Sequence, residues 1–93
     1  MRGLKLARTV VVKHRAEAIR SMHESLSLLD HMRQFGAVTS FKFMRDPVTS
    51  ERTGMAFVSY LHYSDAQTAL SSRTHTVAGL PRPFDVVDVS PKV

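Results

Sequence analysis

The chain contains no cysteine, which excludes disulfides, thiolate zinc clusters and a thiol nucleophile and suits a reducing compartment. No apolar run approaches the roughly 20 residues that a membrane-spanning helix requires, so no membrane partner is expected. Internal repeats and low-complexity tracts are missing too. The five histidines, His14, His23, His31, His62 and His75, lack the i, i+4 or carboxylate spacing of a metal site, and each reads as a surface residue. His23 and His31 share a predicted helix, yet eight residues apart they cannot share one small ion. Ser25 and Ser27 sit in no nucleophile-elbow signature. No catalytic residue, metal or cofactor is therefore expected, and an enzyme is the poorer reading. The last thing in short supply is acid near the beginning: Arg2, Lys5, Arg8, Lys13 and Arg15 all precede the first acidic residue, Glu17.

What is present describes one small domain. Ninety-three residues suffice for one core and are too few for two. The 43% apolar content places the chain among ordinary globular sequences rather than disordered ones. Thirteen Lys and Arg against eight Asp and Glu give a formal charge of +5, a balance that favours polyanionic partners, chiefly nucleic acid. The acid-free, Arg-rich start resembles an organelle targeting segment. However, "TVVV" at Thr9–Val12 already reads as a strand, and cleavage beyond it would remove structure. Residues 1–8 are accordingly expected to form a solvated basic tail, 9–90 the domain and 91–93 a short C-terminal tail.

Hydrophobic periodicity orders the rest. Thr9 to Lys13 is a β-branched run bounded by charge. From Ala16 the period lengthens: Ala16, Ile19, Met22, Leu26, Leu29 and Met32 recur at three or four residues, the core stripe of an amphipathic helix. Its start has two readings, near Ala16 or at a capping box formed by Ser21 and Glu24, with Ser21 accepting from the third helical N–H and Glu24 reaching back. Gly36 marks its end. "VTSFKFMR", Val38 to Arg45, alternates again, with Phe41 and Phe43 inward, Ser40, Lys42 and Met44 outward, and an irregularity near Thr39. Asp46-Pro47 opens a polar turn-rich loop. "TGMAFVSY" lies in a strand from Gly54 to Leu61. It sets Met55 and Phe57 on one face and Ala56, Val58 and Tyr60 on the other. Ser64 to Leu70 is a second helix with Ala66, Ala69 and Leu70 on one face, "HTVAGLPRP" a loop, and Phe84 to Ser90 a last strand.

The predicted order is β-α-β-β-α-β. It implies an α+β, ferredoxin-like sandwich: a four-stranded antiparallel sheet with two helices on one face, joined by right-handed crossovers. The helices cover only one side, so the Met55 and Phe57 side of "TGMAFVSY" must face solvent or a partner.

At these residues the chain resembles an RNA recognition motif (RRM). The octapeptide of that family reads Lys/Arg-Gly-Phe/Tyr-Gly/Ala-Phe-Val-x-Phe/Tyr. Thr53 to Tyr60 departs from it only at Thr53 and Met55. "FGAVTSFKFMRDP" and "YSDAQTAL" also stand where the family has similar segments, so the resemblance spans about Thr9 to Ser90. It implies that bases of single-stranded RNA stack on the open face while basic residues contact phosphates. Carried over, Phe57 and Met55 are platform, and Ala56, Val58 and Tyr60 are core. The first-strand motif, Val10 to Arg15, is degenerate: Val11 stands where the family has an aromatic. Of three usual stacking rings only Phe57 remains. Lys13 and Lys42 are expected beside it, with Met44 on the same face and Arg45 and Arg52 flanking the bordering loop. The segment "HRAEAIRSMH" is longer than the family's connection, and is read either as extended loop or as extra helical turns whose His14, Arg15 and Arg20 reach RNA or solvent.

Two functions compete. One is a single-stranded RNA-binding module, in a ribonucleoprotein or RNA-processing complex with protein subunits as further partners. The other is an RRM-like module that binds only protein, favoured by the aliphatic character of Val11, Met44 and Met55. Basic charge and Phe57 favour RNA. The family points to nucleus or cytoplasm, and the basic start leaves a mitochondrial location open.

Overall fold

A computed structural model describes residues 8–49 and 52–92. Of residues 1–8, expected as a tail, 1–7 lie outside the described residues, and the Arg8 carbonyl accepts from the Tyr60 N–H at 2.8 Å. The elements run β1 (Thr9–Lys13), a 3-10 turn (Ala16–Ala18), α1 (Met22–Arg33), β2 (Val38–Arg45), β3 (Arg52–Tyr60), α2 (Tyr63–Leu70), β4 (Thr74–Thr76) and β5 (Val86–Pro91). The sheet order is β2-β3-β1-β5-β4, with every neighbouring pair antiparallel. This is the expected ferredoxin-like arrangement with one strand more than the four expected. The extra strand, β4, overlaps the predicted loop: His75 and Thr76 pair with Val87 and Val86. Its three residues are too short for any period-two pattern to register. The last strand also starts later and ends one residue beyond its expected limit of Ser90.

The core lies between the helices and one face of the sheet. Val10 and Val12 of β1, Ala56, Val58 and Tyr60 of β3, Val87 and Val89 of β5, Leu28 and Met32 of α1, and Ala66 and Ala69 of α2 are buried together. Phe41 and Phe43 pack against this cluster from the edge strand β2. The irregularity expected near Thr39 is present, as a shift of register between Val38 and Ser40. Tyr60 ties the layers: its hydroxyl donates at 2.6 Å to the Met32 carbonyl in the last helical turn, an acceptor it shares with the Phe35 N–H at 3.3 Å. Burial, reinforced by the Asp65 charge, pushes the Tyr60 hydroxyl well above its usual pKa.

The first helix corrects the expected stripe. The chain makes one 3-10 turn, then turns extended at Ile19 and Ser21 before α1 begins. That break resets the helical phase. Within α1 the buried positions are Ser25, Leu28 and Met32, while Met22 is 72% and Leu26 49% exposed. The long connection is thus one extra helical turn and an extended joint. The expected capping box is replaced by a related arrangement, with Glu24 reaching back one residue beyond the N-cap. Glu24 accepts from the Arg20 N–H (3.3 Å) and from the Ser21 hydroxyl (2.6 Å), which therefore donates rather than capping the helix. The Ser21 hydrogen bond holds the Glu24 carboxyl below its usual range. At the other end Gly36 is required by close approach: a Cβ there would run into the Asp65 side chain. In the β2–β3 loop, Asp46 Oδ1 accepts from the Val48 and Thr49 N–H groups at 2.8 and 3.0 Å, the turn its sequence announces.

Three histidines are not the surface residues expected. His14 is buried beside β3, its N–H on the Gly54 carbonyl (2.9 Å) and its ring edge-on to Phe43 at 5.6 Å, so it is not placed to reach RNA. His75 is also buried. Its Nε2 lies 2.9 Å from the Ala69 carbonyl and 3.0 Å from that of Ser72, its Nδ1 2.9 Å from His31 Nε2. Gln34 Nε2 stands 3.0 Å from His31 Nδ1. With both rings neutral, one direction of donation satisfies the whole chain: Gln34 to His31, His31 to His75, and His75 to the two carbonyls. Phe35 packs edge-on against both rings.

Candidate nucleic-acid interface

Alternation along β1 and β3 decides what the open face displays. With Val10, Val12, Ala56 and Val58 in the core, Thr9, Val11, Lys13, Met55, Phe57 and Ser59 emerge on the other side. Register then arranges them in rows, because directly opposed residues of antiparallel strands share a face. Phe57 lies opposite Val11 on one side and Lys42 on the other, and Val11 lies opposite Ser90. One row across four strands is therefore Lys42, Phe57, Val11, Ser90. The next is Met55, Lys13, Asp88, Thr74. A third begins with Thr9 and Ser59, whose hydroxyls lie 2.8 Å apart.

Five of the eight expected site residues, Val11, Lys13, Lys42, Met55 and Phe57, thus fall on two adjoining rows. Lys13 and Lys42 are exposed, and Phe57 is half-buried with its ring outward. Met44 falls in no regular row, since the ladder shifts register between Phe43 and Arg45. The backbones of Arg45 and Arg52 pair at the base of the β2–β3 loop. Gly54 has a φ of +90°, and a Cβ there would stand 3.0 Å from the His14 carbonyl oxygen, so glycine both permits the turn of the chain and lets β1 close on β3.

Arg15 and Arg20 take a different place from the face. The Arg15 guanidinium lies 5.3 Å from the centre of the Phe84 ring and 3.6 Å from Glu17. Arg20 lines a shallow cleft with Glu17, Glu24, Pro81 and Phe84.

One residue of the face escaped the sequence reading. Lys92, just past β5, extends its Nζ to 5.5 Å from the centre of the Phe57 ring. Its backbone N–H donates to the Thr9 carbonyl at 3.2 Å, so the ladder between β5 and β1 is what carries it there. The signal was available: Val87 and Val89 alternate inward, which puts Asp88, Ser90 and the next alternate residue, Lys92, over the open face. Chemically the face offers one ring for a flat apolar partner, aliphatic neighbours in Val11 across the ladder and Met55 along the strand, and ammonium groups within reach of an anionic chain. Asp88, opposite Lys13, is the acid on these two rows. Among the described residues no group of three His, Cys, Asp or Glu side chains could hold a metal ion, and no helix is long and apolar enough to cross a membrane.

Comparison with known proteins locates this architecture. The family model described as the RNA recognition motif matches residues 17–79. Among solved structures, RNA Binding Protein PG1 superposes with a TM-score of 0.68 at 21% identity, covering 94% of this chain and 95% of that one. The RRM of RNA15 gives a TM-score of 0.63 at 19% identity, with coverage of 90% and 87%. The RNA binding domain of Hrp1, solved in complex with RNA, gives 0.67 at 20% identity over 96% of this chain. The match spans about half of that longer chain, 47%.

Proposed function

Because this chain belongs to the RNA recognition motif family, we propose that its open sheet face binds single-stranded RNA. The observation that carries the reading is the outward ring of Phe57, set between Lys42 on the neighbouring strand and the Lys92 ammonium. A base stacks on the ring, and Lys13 and Lys42 neutralise phosphates of the same strand. Val11 and Met55 extend the platform as aliphatic surface, with Met44, Arg45 and Arg52 beside the loop that borders it. With one stacking ring the face binds weakly and with little sequence discrimination from backbone contacts alone. Such a module works best when protein subunits of a ribonucleoprotein or RNA-processing complex hold it on its RNA. That the similar Hrp1 domain was solved with RNA supports the assignment.

A titration at two salt concentrations tests it. Phe57→Ala is expected to weaken RNA binding by about 1–3 kcal/mol with little change in salt dependence, since a ring releases no counterions. Lys42→Gln is expected to weaken binding and flatten the slope of log affinity against log salt by about 0.7, one phosphate's worth on a single strand. If neither substitution changes RNA affinity while binding to a protein partner is lost, the face belongs to a protein-interaction module instead.

A further inference from the structure

Lys92 occupies the place that a stacked base must take. Its ammonium, 5.5 Å from the centre of the Phe57 ring, is a cation over an aromatic face, an attraction that a base stacking on the same side displaces. The ammonium cannot go far. The Lys92 backbone is pinned to Thr9, and Ser90 is held opposite Val11, the immediate neighbour of Phe57. A side chain anchored there stays within reach of the edge of a base on the ring.

A lysine ammonium has three donors and no acceptor. Against a base edge it favours keto oxygens, such as O4 of uracil or O6 of guanine, and disfavours the exocyclic amines of cytosine and adenine, which are themselves donors. The surroundings do not reverse that preference. The row through Phe57 consists of Lys42, Val11 and Ser90, with no carboxylate among them. The nearest acid by register, Asp88, lies in the adjoining row opposite Lys13.

We infer that Phe57 and Lys92 together form a subsite for a keto base, uracil or guanine, with Lys92 resting on the ring when the site is empty and reading the base edge when it is filled. The inference rests on the RNA-binding reading of the same face, and goes beyond it by assigning the face a base preference that phosphate contacts and stacking cannot supply.

The test uses U8 and C8, which stack similarly and differ on the base edge at position 4, keto or amino, and at N3, N–H or lone pair. Fluorescence anisotropy at one fixed salt concentration is run with the unaltered chain, with Lys92→Met and with Phe57→Ala. The unaltered chain is expected to bind U8 more tightly than C8 by about fivefold, the scale of one favourable base-edge contact. Lys92→Met is expected to bring the two affinities together, mainly by weakening U8. Equal affinities for U8 and C8 in the unaltered chain overturn the inference. So does a loss in Lys92→Met that is the same for both oligomers, which makes Lys92 an ordinary phosphate contact. In either of those cases, loss of binding in Phe57→Ala leaves the RNA-binding reading standing; failure of the unaltered chain to bind either oligomer overturns that reading and the subsite with it.

Discussion

On the helix side of β3, Ala56, Val58 and Tyr60 are 0–1% exposed; on the other side, Met55, Phe57 and Ser59 of the same strand are half-buried. The inward set touches valines of β1 and β5 and the apolar turns of α1 and α2. The outward set meets lysines, serine, threonine and the single valine Val11. The two faces teach that this strand answers to separate demands. Inward positions are judged by volume, because a close-packed interior relaxes only partly around a deletion. Outward positions are judged by what they present, and the fold is indifferent to them within wide limits.

The largest effect should come from the inward side. Leu28→Ala, at a fully buried position of α1, is expected to cost about 2–5 kcal/mol of stability in urea unfolding, a large part of what a small domain possesses. Phe57→Ala should change stability by less than about 1 kcal/mol. If Phe57→Ala destabilises as much as Leu28→Ala, the faces are not independent, and any loss of RNA binding in that variant reports unfolding.

Next in size is the hydrogen bond that joins the end of β3 to α1. Tyr60→Phe keeps the ring and removes the donor to the Met32 carbonyl, leaving a buried acceptor without that partner. A loss of about 1–2 kcal/mol is expected in the same unfolding assay, with RNA affinity unchanged at temperatures where the variant is folded. A change in affinity without a change in stability would show that the helix side speaks to the open face through Tyr60.

The smallest effect concerns pH. Burial, and to a lesser degree the neighbouring His75, lowers the pKa of His31 from 6.5. The unfolded chain therefore takes up a proton at a pH where the folded chain does not yet do so. The stability contribution is complete above about pH 6.5 and declines as pH falls below it, until the folded-state pKa is reached. Urea midpoints at pH 7.5 and 5.5 should show this decline, and His31→Gln should reduce the difference. A midpoint that rises on acidification in the unaltered chain would mean that the pair of rings is stabilised, not loosened, by the added proton.

Much of this division was legible in the sequence. The alternation in "TGMAFVSY" assigned both faces of β3, and the irregular ladder at Thr39 was visible as a slip in the period of β2. Six elements, β1, α1, β2, β3, α2 and β5, could be read from pattern because each is long enough to show its period. The failures have local causes. The expected stripe from Ala16 to Met32 joined two helical segments whose phases are unrelated, because periodicity cannot show the extended joint at Ile19–Ser21. β4 is too short to carry a period, and it exists because β5 offers an edge. The contact of His31 with His75 spans 44 residues of sequence and leaves no local trace. Lys92 falls in the expected tail because the predicted strand stops at Ser90, whereas β5 runs through Pro91, a residue tolerated at the margin of a strand where no N–H is needed. Of the open face, the residues on β1, β2 and β3 were read from the sequence, and the contribution from β5 was missed although its alternation carries it.

The two shifts of register in β2, between Val38 and Ser40 and between Phe43 and Arg45, have a bearing on how the chain survives in a crowded solution. β2 borders the sheet, and a regular eight-residue border strand would offer a template on which another extended chain could assemble. Irregularities of this kind bend and twist such an edge, so that a straight incoming strand cannot match its donors and acceptors over any length. At the opposite border β4 offers only three residues. The sheet thus ends on both sides in edges poorly suited to self-association, and its open face can stay uncovered without turning the molecule into a seed for aggregation.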